Sequence, residues 1–277
     1  MKYLLDVSWL LYTGYFSTSK VWGEHPEIHF LCRRLEGLLC QKDAELYLCL
    51  DGCNTKGKKL LGDDYKSGRN ESAKQNVYQA LYTFISLLDS KRIHICYNSE
   101  YESDEIIYTL SRILEGDKCI VSGDKDLLQS INKQVSVDNR SDKLITESLY
   151  YEKYGELFFG IEPRKLPLYR AIVGDASDTL KPPVPRFPRK LAAKITKDFN
   201  YQGCLPTKEE LISLSEKYTA SEKKKINTLL DAYDKFKTNF DIMKLNVIAE
   251  DIYKPYSGKT IPLSEFLTGK IKRLNTL

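Results

Sequence analysis

The sequence predicts an α/β fold, with a mostly parallel central sheet flanked by helices and a helical C-terminal region after it. Three observations carry this reading. Short apolar runs alternate with amphipathic stretches through the first half, the pattern of successive strand–helix–strand units. Strand-like runs then stop near residue 150. A proline-rich turn, "LKPPVPRFPRK" (180–190), leads into Lys-rich helical segments such as "SEKKKINTLLDAYDKFKTNF".

The expected strands, in order, are "KYLLDV" (2–7), "ELYLCLD" (45–51), "RIHICY" (92–97), "KCIVS" (118–122) and a weaker "QVSVD" (134–138). Helices are expected between them, for example "NVYQALYTFISLLDS" and "DEIIYTLSRILEG". In the second, Ile106, Ile107, Leu110, Ile113 and Leu114 form one apolar face, and Gly116 suits its end. No internal repeat or low-complexity tract interrupts the pattern.

With 277 residues the chain has room for one large domain or two modest ones. Its 42% apolar and 29% charged residues are ordinary for a globular protein. No apolar run approaches the ~20 residues of a membrane span. Asp6 interrupts the apolar start "MKYLLDVSWLLY", which argues against a secretory segment. The chain therefore reads as cytoplasmic, with no membrane partner. Seven cysteines without a C-x-x-C pair argue against zinc and disulfide roles. Cys49 and Cys96 sit in apolar runs, as small buried hydrophobes do.

Acidic residues recur after the strands. Asp6 closes the first and Asp51 the second, while "NSEYESDEI" after the third carries Glu102, Asp104 and Glu105. Asp124 and Asp126 follow the fourth, and "AIVGDASDTL" adds Asp175 and Asp178 at the start of the helical region. Each has an ordinary reading as a helix cap, a turn or a first-turn charge. Ligands of open α/β sheets bind outside the carboxyl ends of the strands, so these groups can share one crevice. Crowded carboxylates repel and raise one another's pKa, and divalent cations relieve that cost. An oxygen-only set suits Mg²⁺ or Mn²⁺ rather than Zn²⁺. His25, His29 and His94 lie outside the acidic groups. Two such cations ~4 Å apart stabilise the attacking and leaving oxygens of phosphodiester cleavage. The net charge is +4, and setting these nine acids aside leaves +13 elsewhere, which suits a polyanionic substrate.

The pieces "LLDVSWLLY", "LDG", "YKSGRN", "YESDEI", "SGDKDLL" and "YRAIVGDASDTL", in this order from Asp6 to about Ala193, resemble the 5′-nuclease family. That family holds flap endonucleases, the 5′→3′ exonuclease domain of bacterial DNA polymerase I and phage replication nucleases, some named RNase H. The resemblance implies a PIN-like nuclease domain over 1–170, with a short helical arch at about 56–90. It also implies a helix-hairpin-helix-like DNA-binding region over 171–277. Asp51, Glu102, Asp104 and Glu105, with Asp6 close by, match the family's first metal group, and Asp124, Asp126, Asp175 and Asp178 its second. Lys66 and Arg69 match arch cations that approach the scissile phosphate, where fixed charge offsets charge on the phosphoryl oxygens. Tyr65 matches an aromatic that stacks on a nucleobase.

The implied activity is that of a Mg²⁺-dependent structure-specific 5′ nuclease, with Mn²⁺ as a substitute. It would act as a monomer on 5′ flaps, DNA ends and RNA primers in replication and repair. A polymerase or single-strand-binding protein is the partner class that fits. The chain departs from the family at its glycine-rich hairpin, where Pro183, Arg186 and Pro188 take glycine positions, with one residue inserted. Proline has no N–H to offer a phosphate, so the family's monovalent cation site is not carried over. Lys181, Arg186, Arg189, Lys190 and Lys194 are expected to grip the duplex by side-chain charge instead. The other readings are a PIN-type ribonuclease on structured RNA and a non-catalytic nucleic-acid clamp. The second pair of Asp residues and the "GDASD" segment argue against the first, and complete retention of the acids against the second. An aspartyl phosphatase is excluded because no D-x-D-x-T follows a strand.

Overall fold

The computed structural model describes residues 1–18, 26–52, 81, 91–139, 144–176, 180–248 and 255–257. All five expected strands form, each within a residue or two of its expected bounds: β1 (Lys2–Asp6), β2 (Glu45–Leu50), β3 (Ile93–Tyr97), β4 (Lys118–Val121) and β5 (Val135–Asp138). They lie parallel in one sheet of order β5-β4-β1-β2-β3-β6. β6 (Pro255–Ser257) runs antiparallel to β3 at the edge, with Cys96 opposite Pro255. This corrects the expectation that strands end near residue 150. Three residues starting at a proline are too short to show an alternation, and an edge position is where a missing N–H is tolerated.

The central strands are apolar throughout because both sheet faces are covered. On one face α1 (Val7–Thr18) and α2 (Pro26–Leu39) bury Leu10, Leu11, Phe30, Leu31 and Leu35 against Leu5, Leu46, Leu48 and Leu50. On the other, α3 (Ser103–Ile113) sets Ile106, Ile107 and Leu110 against Leu4, Tyr47 and Ile120. That core continues through α4 (Glu147–Tyr154), α5 (Leu166–Val173), α6 (Arg189–Asp198), α7 (Lys208–Ser215), α8 (Ala220–Asp231) and α9 (Tyr233–Met243). Leu168, Ile195, Leu229 and Phe236 are completely or almost completely buried in it. Residues on both sides of position 170 therefore share one hydrophobic core. Among the described residues, no helix is long and apolar enough to cross a membrane.

Helix ends depart slightly from their expected places. α3 stops at Ile113, where Leu114 turns extended, and Gly116 (φ +76) lies beyond it. Ile113, in the last turn, is half exposed rather than part of the apolar face. The Lys-rich stretch forms two helices that part at Ala232, the first opened by a capping box between Thr219 and Glu222. Of the expected helix at 76–90, only Leu81 is described, and it is buried. The six described cysteines are free thiols, with Cys49 opposite Cys96 on neighbouring strands. His94 packs its ring 4.7 Å from that of Tyr47, and His29 is exposed.

Candidate active site

The parallel strands deliver their carboxyl ends to one edge, and the acids collect there. Asp6 is the last residue of β1, and its Oδ1 accepts the Trp9 N–H at 3.0 Å, so the carboxylate caps α1. Asp51 follows β2, and its Oδ1 accepts the Ser103 N–H at 2.9 Å at the start of α3. Gly52 then donates its N–H to the Tyr101 carbonyl at 2.8 Å. A Cβ at Gly52 would strike the carbonyl oxygen of Asn98, so only glycine lets this turn lie against the loop that carries Glu102. Asp124 opens the short 3-10 helix Lys125–Ser130 and accepts the Asp126 N–H at 2.8 Å. The capping reading thus holds for Asp6 and Asp124.

Two buried serines lace the acids across the strands. Ser103 donates its N–H to Asp51 and sets its hydroxyl 3.4 Å from Asp6 Oδ1. Ser122 donates its hydroxyl to Asp6 Oδ2 at 2.8 Å and accepts the Asp124 N–H at 3.1 Å. The resulting chain runs Asp51–Ser103–Asp6–Ser122–Asp124–Asp126. Glu102 and Asp104 are half-buried and Glu105 is buried in the first turn of α3. The Asp6 carboxyl is pushed up to about 7, by burial first and then by the negative charge of Asp51 and Asp124. Hydrogen bonds from Trp9 and Ser122 offset only part of this.

The second group holds a cation of its own. Arg170, in the last turn of α5, pairs through Nη1 with Asp126 Oδ1 and through Nη2 with Asp175 Oδ2. The three side chains are only 10–11% exposed. Asp175 exchanges two backbone hydrogen bonds with Leu180, at 2.8 and 2.7 Å. Gly174 makes that turn at φ +76, where a Cβ would lie 2.6 Å from the Leu180 carbonyl oxygen. Asp178, with Tyr65, Lys66 and Arg69, lies outside the described residues.

All five expected phosphate-gripping cations are exposed. Lys181 and Arg186 sit in the proline-rich loop, which Phe187 anchors in the core; Arg189, Lys190 and Lys194 are on α6. Arg186 takes a left-handed backbone (φ +57) where the resembling family has glycine. Lys194 is already engaged, 3.0 Å from Glu222 and 4.3 Å above the Tyr218 ring.

Sequence reading missed Ser103, Ser122 and Arg170 as partners of the acids. All three stand inside the quoted motifs, but Asp51 and Asp6 for Ser103, Asp6 for Ser122 and Asp126 for Arg170 lie 44 to 116 positions away in the chain, beyond any local spacing. Carboxylate donors crowded beside a buried Asp6 fit a hard divalent cation. In the present side-chain positions, no three carboxylate, thiol or imidazole groups among the described residues are drawn together closely enough to hold one.

The family model of the 5′–3′ exonuclease N-terminal, resolvase-like domain matches residues 1–155. The 5′–3′ exonuclease of Buchnera aphidicola is 28% identical over 265 residues, covering 90% of this chain and 89% of that protein. The Aquifex aeolicus 5′–3′ exonuclease is 32% identical over 190 residues, 64% of this chain and 63% of the relative. DNA polymerase I of Bacillus subtilis is 27% identical over 163 residues, and the match spans only 18% of its length. Among solved structures, the D15 flap endonuclease of bacteriophage T5, in a complex with DNA and metal ions, matches at TM-score 0.63 and 14% identity. That match covers 88% of this chain and 89% of the other. Human GEN1 with Holliday junction DNA matches at TM-score 0.58 and 15% identity, covering 99% and 68%. At these identities the two structures speak for the fold. The chain belongs to the 5′–3′ exonuclease family, whose members are nucleases, hydrolases of phosphodiester bonds.

Proposed function

We propose that the protein is a Mg²⁺-dependent, structure-specific 5′ nuclease that cuts 5′ flaps and digests DNA ends or RNA primers 5′→3′. The observation that carries this reading is the linked row of acids from Asp51 to Asp126 at the carboxyl edge of the sheet. The T5 and Rad2 structures with DNA, and the T5 structures with metal ions, support DNA and divalent ions as ligands. Bound there, two Mg²⁺ ions would supply Lewis acidity to the scissile phosphate and to the water that attacks it. Mn²⁺ is a workable substitute.

The chain's own residues do the rest. Asp6, Asp51, Glu102, Asp104 and Glu105 hold the first ion, and Asp124, Asp126, Asp175 and Asp178 the second. Ser103 and Ser122 tie Asp51, Asp6 and Asp124 to one another across the strand ends. Lys66 and Arg69 neutralise the phosphoryl oxygens and Tyr65 stacks on a base near the cut. Lys181, Arg186, Arg189 and Lys190 hold the duplex backbone. In this division residues 1–170 form the nuclease domain, and residues 171–277 bind duplex and lend Asp175 and Asp178 to the second ion, with cytoplasmic DNA in replication or repair as the target.

The test is cleavage of a 3′-labelled 5′-flap duplex with and without Mg²⁺, beside blunt duplex and single-stranded RNA, with Asp124→Ala as the blank. Cuts near the flap junction that need Mg²⁺ and vanish in the blank are expected. Cleavage confined to RNA, or tight binding without cleavage in Mg²⁺ and Mn²⁺, would overturn the proposal.

A further inference from the structure

Two acids of the second group, Asp126 and Asp175, already share a cation. Arg170 spans two different carboxylates, one with each terminal nitrogen, rather than forking onto one. The geometry is held from behind by two buried amides. Gln129 Nε2 donates to the Asp126 carbonyl at 2.8 Å and to the Met243 carbonyl at 3.1 Å, while its Oε1 accepts the Leu245 N–H at 3.1 Å. Asn239 Nδ2 donates to the Ala171 carbonyl at 3.1 Å and to the Lys181 carbonyl at 3.0 Å. The backbone of the 3-10 helix at Asp126, the α5 segment beside Arg170 and the chain beyond the Asp175 turn are therefore all tied to α9. These ties fix the backbone from which the two carboxylates and the guanidinium project.

We propose that Arg170 is a positioning residue that serves as the internal counter-ion of the second acidic group. It holds Asp126 and Asp175 together while no divalent cation is bound, and its charge opposes the entry of one. This rests on the metal-dependent reading above and extends it to an order of loading: the second group takes its ion weakly in the free protein. Two buried carboxylates that share one fixed cation retain a single net negative charge, against two if Arg170 is neutralised. A divalent ion therefore gains less Coulomb energy at this pair, and the Asp oxygens it would use are directed at the guanidinium.

The test measures Mn²⁺ binding to the full, DNA-free chain by the electron paramagnetic resonance of free Mn²⁺, together with thermal melting. Arg170→Met should lower the melting temperature of the metal-free protein, tighten the weaker Mn²⁺ site by about tenfold or more, and recover stability on adding Mn²⁺. Arg170→Lys, which keeps the charge, should stay within about threefold of wild type in affinity. Unchanged or weaker Mn²⁺ affinity in Arg170→Met would make Arg170 a structural clamp and overturn the proposal.

Should Arg170→Met fail to fold, the side-chain Nε–H signal of Arg170 in the wild type provides the readout. It should shift as Mg²⁺ saturates the protein, and an unmoved signal at saturation would overturn the idea. Flap cleavage by the wild type is scored separately. A protein that binds Mn²⁺ as expected but never cuts would refute the nuclease reading and leave the Arg170 result standing.

Discussion

The Ser122 hydroxyl donates to Asp6 Oδ2 at 2.8 Å and accepts the Asp124 N–H at 3.1 Å, so one completely buried oxygen sets the spacing between the two acidic groups. β4 ends at Val121, and Ser122 is the first residue past it, facing β1, its neighbour in the sheet. Ser122→Ala would leave a buried carboxylate oxygen without that donor and a backbone N–H without that acceptor. Such a loss costs about 1–3 kcal/mol. Chemical denaturation should show a destabilisation of that order, and flap cleavage should fall further than stability does. A variant with wild-type stability and rate would mean that the spacing of the acids does not depend on this hydroxyl.

Asp6 makes the metal-free protein sensitive to pH. Its carboxyl is raised to about 7 in the fold, from an ordinary 3.8, mainly by burial and then by Asp51 and Asp124. The folded protein therefore holds a proton that the unfolded chain has released. The contribution to stability is fully present below pH 3.8 and is lost as pH rises towards 7. The slope is at most about 1.4 kcal/mol per pH unit. After removal of divalent ions, the stability gap between Asp6→Asn and wild type should widen from pH 4 to pH 7, with the variant the more stable. Saturating Mg²⁺ should narrow it. A gap that does not change with pH would show that the Asp6 carboxyl is not raised in the fold.

Lys194 separates a structural cation from a DNA-gripping one. On spacing alone it belongs with Arg189 and Lys190 on α6, but its amine sits 3.0 Å from Glu222 and over the Tyr218 ring. A pair this exposed contributes little to stability. Lys194→Ala should therefore leave the salt dependence of DNA binding almost unchanged, whereas Arg189→Ala should flatten its slope by about one unit. Equal effects in filter binding across a salt series would return Lys194 to the interface.

The same contrast marks what was legible in the sequence. The five parallel strands announce themselves because a sheet covered on both faces needs unbroken apolar runs, and their closing acids stand where the runs stop. Whether Asp6 or Asp124 is a cap or part of a shared site could not be told from the sequence, because a carboxylate that caps a helix can also face a crevice. Arg170 gave no signal of its role: its pairing with Asp126 depends on how α5 meets the 3-10 helix, a tertiary relation with no local pattern. The partners of Lys194 were hidden for a related reason, since Glu222 is 28 residues away and opens another helix. β6 went unread because three residues carry no period.

Arg186 tests the proline-rich loop in two independent ways. Its backbone is left-handed at φ +57, a conformation that costs a residue with a Cβ roughly 1–2 kcal/mol and glycine almost nothing. The neighbouring Phe187 is buried, which fixes the loop to the core and keeps Arg186 in that conformation with its side chain exposed. Arg186→Gly should match or exceed wild-type stability, because relief of the backbone offsets the added freedom of the unfolded chain. Arg186→Ala should not gain that relief. Both should weaken duplex binding and lower its salt slope by about one unit, because both lose the same phosphate contact. If the glycine variant were the less stable of the two, the left-handed turn would not be costing the fold anything. If neither variant changed the salt slope, the strain at Arg186 would serve the packing of Phe187 and not the grip on DNA.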